Sequence, residues 1–205
     1  QSLTYASKLK NAEQHQEVNH RKYARKLLSD LSIGDTEGTN VENCSGGEQK
    51  RLAIAQELMA LRKPNLMCID EPTSGLDSNA AEIVVQVLKQ LSRQHEIAIV
   101  TSIHQPNNDT LMLFDGVYVL AKGGLCVYSG PPLQVRAYLS AAQFECNEHQ
   151  VPIEVLLRIA SKSGSSVQRL SHQSMKAKSE LRNRCLAEGR LSPNGVANKG
   201  NAFQL

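Results

Sequence analysis

The chain has 205 residues, of which 40% are hydrophobic and 21% charged, enough to bury a sizeable core and suited to one domain with a tail. No run reaches the roughly 18 consecutive apolar residues of a membrane-crossing helix, and no basic stretch followed by an apolar one argues for secretion. The formal net charge of +3 is uneven: residues 1–160 carry 15 Lys and Arg against 18 Asp and Glu, and residues 161–205 carry 8 against 2.

The five cysteines are odd in number, scattered and without a repeated Cys-x-x-Cys pair, which reads as reduced thiols in a cytosolic setting. Cys146-Asn147-Glu148-His149 has the outline of half a zinc site but no second half. Residue 1 is Gln rather than Met, so the chain is expected to be incomplete at its start or processed.

In chain order, residues 1–31 predict helix, with Leu3, Tyr5 and Leu9 in one piece and Tyr23, Ala24, Leu27, Leu28 and Leu31 at helical spacing in the next. A polar loop runs from Gly34 to Asn43. Ser45 then predicts an N-cap with Glu48 as its capping-box partner, and Leu52, Ala55 and Met59 share a face of a helix running to about Leu61. Leu66–Ile69 predicts a short strand buried on both faces. A helix from about Asn79 to Arg93 follows, then a second buried strand from Ile97 to Ile103, so the two strands are expected to lie parallel.

Gly116–Ala121 and Leu125–Ser129 flank Gly123-Gly124, a hairpin pattern. Pro131–Leu139 and Val151–Ala160 predict further short helices. Beyond Ser161 the Ser-, Gly-, Asn- and basic-rich composition predicts a disordered linker, with one aromatic residue, Phe203, and hence no stacking platform for nucleic acid.

Three places carry chemistry. A helix N-terminus presents unpaired N–H groups and partial positive charge, and glycines there let a phosphate approach the backbone, which suits Ser45, Gly46 and Gly47. On its own, Ser-Gly-Gly-Glu reads as a plain capped helix with flexible glycines. Asp70 and Glu71 leave a strand end in succession and so point to opposite sides, one toward a hydrated magnesium ion and the other toward an attacking water. A lone Asp-Glu pair would read as solvated loop carboxylates; this one follows an apolar strand and precedes Pro72-Thr73-Ser74-Gly75-Leu76-Asp77. His104 ends the second strand and is followed by Gln105-Pro106, which turns the chain away. The remaining histidines, His15, His20, His95, His149 and His172, have no such company and read as surface residues.

Together these residues resemble the ATP-binding cassette, in wording close to its White (G) subfamily of half-transporters. Ser45-Gly46-Gly47-Glu48-Gln49-Lys50-Arg51 resembles the signature motif, Leu66–Glu71 the Walker B strand, Ser74–Asp77 the D-loop and Ser102–Pro106 the switch-histidine segment. The resemblance covers residues 1–161 and implies an α/β, P-loop NTPase-like fold, a parallel sheet with a helical signature subdomain, truncated at its N-terminus, with 162–205 as a basic linker. It implies that Ser45, Gly46, Gly47 and Glu48 reach the γ-phosphate of ATP held by an opposing cassette. It further implies that Asp70 organises Mg2+, Glu71 is the general base, Asp77 couples the two sites and His104 contacts the γ-phosphate in cis.

A second cassette and a membrane domain are the implied partners, with no nucleic acid, and the cytoplasmic face of a membrane is the implied location. No Gly-x-x-x-x-Gly-Lys-Ser/Thr loop occurs in the 205 residues. The chain is therefore expected to be an interior or truncated portion of a half-transporter that exports lipids, sterols or other hydrophobic compounds. A soluble cassette ATPase, and a catalytically idle cassette lending its signature face to a partner, are the alternatives.

Overall fold

A computed structural model of the chain describes residues 1–13, 18–104 and 106–189. The chain divides at Leu113/Phe114 into two compact units, Gln1–Leu113 and Phe114–Leu205, rather than one domain with a tail.

In the first unit, α1 (Ser2–Lys10) and α2 (His20–Asp30) pack together and against α3 (Gly46–Glu57). The parallel pair β1 (Leu66–Ile69) and β2 (Ala98–Thr101) is joined by α4 (Ser78–His95), in register Leu66 to Ala98 through Ile69 to Thr101. A short α5 (Asn108–Met112) closes the unit. Leu27, Leu31, Leu58, Met59, Val84, Leu91 and Ile97 form the centre of its core.

Two expectations shift here. The strands alternate in burial instead of being covered on both faces: Met67, Ile69 and Ile99 pack on the core, whereas Leu66 and Val100 are 55% and 59% exposed. Among the described residues the sheet has two strands, so one face meets the core and the other meets solvent. The third helix also stops at Glu57 rather than near Leu61. The carbonyls just past its end are taken by side chains: Asn11 Nδ2, 48 residues away in sequence, donates to Met59 O at 2.9 Å, and the nearby Lys63 Nζ donates to Leu58 O and Ala60 O. The Leu61 N–H in turn donates to Asn11 Oδ1 at 2.8 Å, so the turn after the helix is held by a buried asparagine.

The second unit contains the antiparallel hairpin β3 (Val117–Leu120) and β4 (Cys126–Gly130), with a register shift between Val119 and Leu120. Its turn uses Gly123 and Gly124 at φ 87° and 79°, where a side chain would strain the backbone. Two further helices, α6 (Val135–Ala141) and α7 (Pro152–Ala160), pack together.

The expected disorder from residue 162 is corrected: Ser165–Ala187 forms α8, packed against the fourth strand. Val167, Leu170, Ser171 and Ser174 make its buried stripe at helical spacing. Two of these four are serines, so composition understates a face that a neighbouring strand is able to cover. Residues 190–205 of the expected linker lie outside the described residues.

Candidate functional site

The tip of the third helix is built as a capping box. Ser45 Oγ accepts the Glu48 N–H at 3.3 Å, and Glu48 Oε2 accepts the Ser45 N–H at 2.7 Å. Hydrogen bonding of the carboxyl to the Ser45 N–H, and then to the Ser45 side chain, holds Glu48 below its ordinary range. Gly46 and Gly47 occupy the first two helical positions, where N–H groups have no partner within the helix. A Cβ on Gly46 would lie 3.3 Å from Leu76 Cδ2, and one on Gly47 3.6 Å from Ala80 Cβ. The glycine tip is thus fitted against the loop and helix that follow the acidic pair.

Asp70 and Glu71 are both exposed at the end of the first strand. Glu71 has φ 44°, a left-handed conformation that costs a non-glycine residue about 1–2 kcal/mol. Its backbone is held on both sides. The N–H donates to Ser102 Oγ at 2.9 Å, and the carbonyl accepts the Ser74 N–H at 3.2 Å and Lys50 Nζ at 3.4 Å. Lys50 belongs to the third helix, so the signature segment and the acidic pair adjoin within one unit.

Ser102 follows the second strand, with its N–H donating to Ile69 O at 3.2 Å. Its hydroxyl donates to Asp70 Oδ1 at 2.5 Å while accepting from Glu71. Ser102 lies in the histidine segment, but its partners are 31 and 32 residues away in sequence, and no local pattern signals them. His104, two residues on, is exposed; Gln105 lies outside the described residues.

The Asp77 side chain caps the fourth helix, accepting the Ala80 N–H at 2.9 Å, and Gly75 before it has φ 76°. The carboxylate expected to couple two sites therefore also sets where this helix begins. Two of the histidines read as surface residues are half-buried. His20 Nδ1 lies 2.9 Å from Ser7 Oγ, and burial, with Lys63 nearby, lowers the His95 pKa.

The residues suit a nucleotide and its metal in part. No group of three or more His, Cys, Asp and Glu able to hold a metal is present among the described residues. One exposed aspartate is the donor set of an ion that keeps most of its water and shares the rest with phosphate, as magnesium does. The free N–H groups at Gly46 and Gly47 suit a phosphate oxygen. No helix among the described residues is long and apolar enough to cross a membrane.

Residues 1–74 match the ABC transporter family model. The chain is 32% identical over 168 residues to the broad substrate specificity ATP-binding cassette transporter ABCG2 of Mus musculus, covering 81% of this chain and 24% of that protein. It is 31% identical over 185 residues to ABC transporter G family member 11 of Arabidopsis thaliana, covering 88% and 26%. Identity to protein white of Ceratitis capitata is 39% over 139 residues, covering 65% and 20%. The chain thus spans about a quarter of the length of the first two of these relatives.

Among solved structures it is similar to CbiO1 of Clostridium perfringens, part of the ABC transporter complex CbiONQ. The TM-score is 0.55 at 25% identity, over 77% of this chain and 61% of that one. By these similarities the chain belongs to the ATP-binding cassette family, in its G (White) subfamily, and carries part of a nucleotide-binding domain.

Proposed function

We propose that the chain is part of the ATP-hydrolysing module of a membrane transporter that exports lipids, sterols or other hydrophobic compounds. The observation that carries this reading is the acidic pair at the strand end: two adjacent exposed carboxylates, the second held in a left-handed conformation, beside a glycine helix tip.

Glu71 takes the proton from the water that attacks the γ-phosphorus, as ADP departs with the electrons of the broken P–O bond. Asp70 would hold a hydrated Mg2+, which would supply positive charge beside the phosphates. His104 donates a hydrogen bond to the γ-phosphate. The Gly46 and Gly47 N–H groups, with Ser45, meet the γ-phosphate of ATP held by a second cassette, identical or different, in a head-to-tail pair. Glu48 joins this set from behind: its carboxylate is engaged with Ser45 and shapes the tip. Asp77, at the start of the fourth helix, links the two sites.

A membrane-spanning domain is the other partner, which places the module at the cytoplasmic face of a membrane; no nucleic acid is involved. Glu71→Gln, made in the coding sequence in its native context, keeps nucleotide bound and lowers turnover by about 10²-fold or more, the usual contribution of a positioned base. Wild-type turnover in that variant removes Glu71 from the role.

A further inference from the structure

We propose that Ser102 is a positioning residue that holds Asp70 and Glu71 in their working arrangement through a single hydroxyl; this rests on the reading of Glu71 as the base. The hydroxyl accepts from the Glu71 N–H at 2.9 Å and donates to Asp70 Oδ1 at 2.5 Å. Its position is set by the sheet, because the Ser102 N–H donates to Ile69 O, one residue past the last paired positions Ile69 and Thr101. The two strands therefore deliver one donor-acceptor group to the place where the first strand ends.

This job needs a hydroxyl. Glu71 adopts φ 44°, a backbone conformation a glutamate rarely occupies unaided, and its carbonyl is already held by Ser74 and Lys50. Fixing the N–H as well leaves the peptide no freedom to relax to an extended conformation, so the direction in which the Glu71 side chain leaves the backbone is fixed. The same oxygen's proton occupies one Asp70 oxygen and leaves the other for a metal-bound water. Alanine loses both contacts, whereas threonine keeps both at the same reach.

Nuclear magnetic resonance on the 205-residue chain tests the holding role without nucleotide. In Ser102→Ala the Glu71 amide exchanges with solvent about 10-fold faster or more, the order expected for one lost hydrogen bond, and its Cα and Cβ shifts leave left-handed values. Ser102→Thr retains both signatures, and the amides of the fourth helix report that each variant is folded.

In the native context, Ser102→Ala lowers kcat for ATP about 10-fold with KM nearly unchanged, the pattern of an interaction used in the transition state, and Ser102→Thr restores it. Wild-type amide exchange in Ser102→Ala, or equal impairment in Ala and Thr, overturns the proposal. Glu71→Gln separates the two readings. If it stalls turnover and Ser102→Ala does not, only the Ser102 role falls. If Glu71→Gln is without effect, the base assignment falls, and amide exchange alone decides whether Ser102 holds the loop.

Discussion

Glu48 shapes the tip of the third helix through its contact with the Ser45 backbone. Its carboxylate accepts the Ser45 N–H and thereby keeps a negative charge at the tip of a helix whose neighbouring N–H groups are the free donors. Because folding lowers the Glu48 pKa, the folded chain binds fewer protons there than the unfolded chain in the acid range. The capping contribution is therefore complete above the ordinary glutamate value of 4.5 and is lost as the pH falls through the lowered folded value. Titration of the Ser45 amide resonance is expected to show the cap opening in that window, and Glu48→Gln to flatten it; a pH-independent Ser45 amide in the wild type contradicts this account. The capping box itself is legible in sequence because donor and acceptor are three residues apart. The left-handed Glu71 is not, since nothing in Ile69-Asp70-Glu71-Pro72 reveals that a hydroxyl from the next strand waits to receive its N–H.

Among the elements, the third helix illustrates why a boundary escapes periodicity. Apolar residues continue through Leu58, Met59 and Leu61, yet the helix ends at Glu57 because Asn11 accepts and donates around the turn that follows. Asn11 is 5% exposed and its amide also donates to Ser7 O at 2.7 Å. Asn11→Ala leaves the Met59 carbonyl and the Leu61 N–H without these partners. It is expected to destabilise the first unit by about 1–3 kcal/mol, the penalty for buried groups left unpaired, measured by denaturant unfolding; a change below about 0.5 kcal/mol, the usual range of an indifferent surface substitution, contradicts it. The eighth helix makes the complementary point. Its buried Ser171 and Ser174 look like linker residues, and what orders them is the hairpin, whose Cys126 lies 48 residues before Ser174, together with Tyr138, whose hydroxyl lies 2.6 Å from both Val127 O and Leu170 O.

For the molecule as a whole, the decisive feature is what these 205 residues bring to ATP. They contain the acidic pair, the signature tip and the histidine, but no Gly-x-x-x-x-Gly-Lys sequence whose N–H groups cradle the phosphates. These residues alone are expected to bind ATP with Kd near 1 mM or weaker, about −4 kcal/mol, by calorimetry; micromolar affinity contradicts this reading. The motif order, the capped signature helix, the parallel strand pair and the hairpin follow from sequence alone, because each depends on residues within a few positions or on apolar periodicity. Tertiary structure decided the division at Leu113, the open face bearing Leu66 and Val100, the ordering of Ser165–Ala187 and the bridge from Ser102 to Asp70 and Glu71. Each of these is a contact between groups far apart along the chain, and its free energy exists only once the intervening residues have folded to bring the partners together.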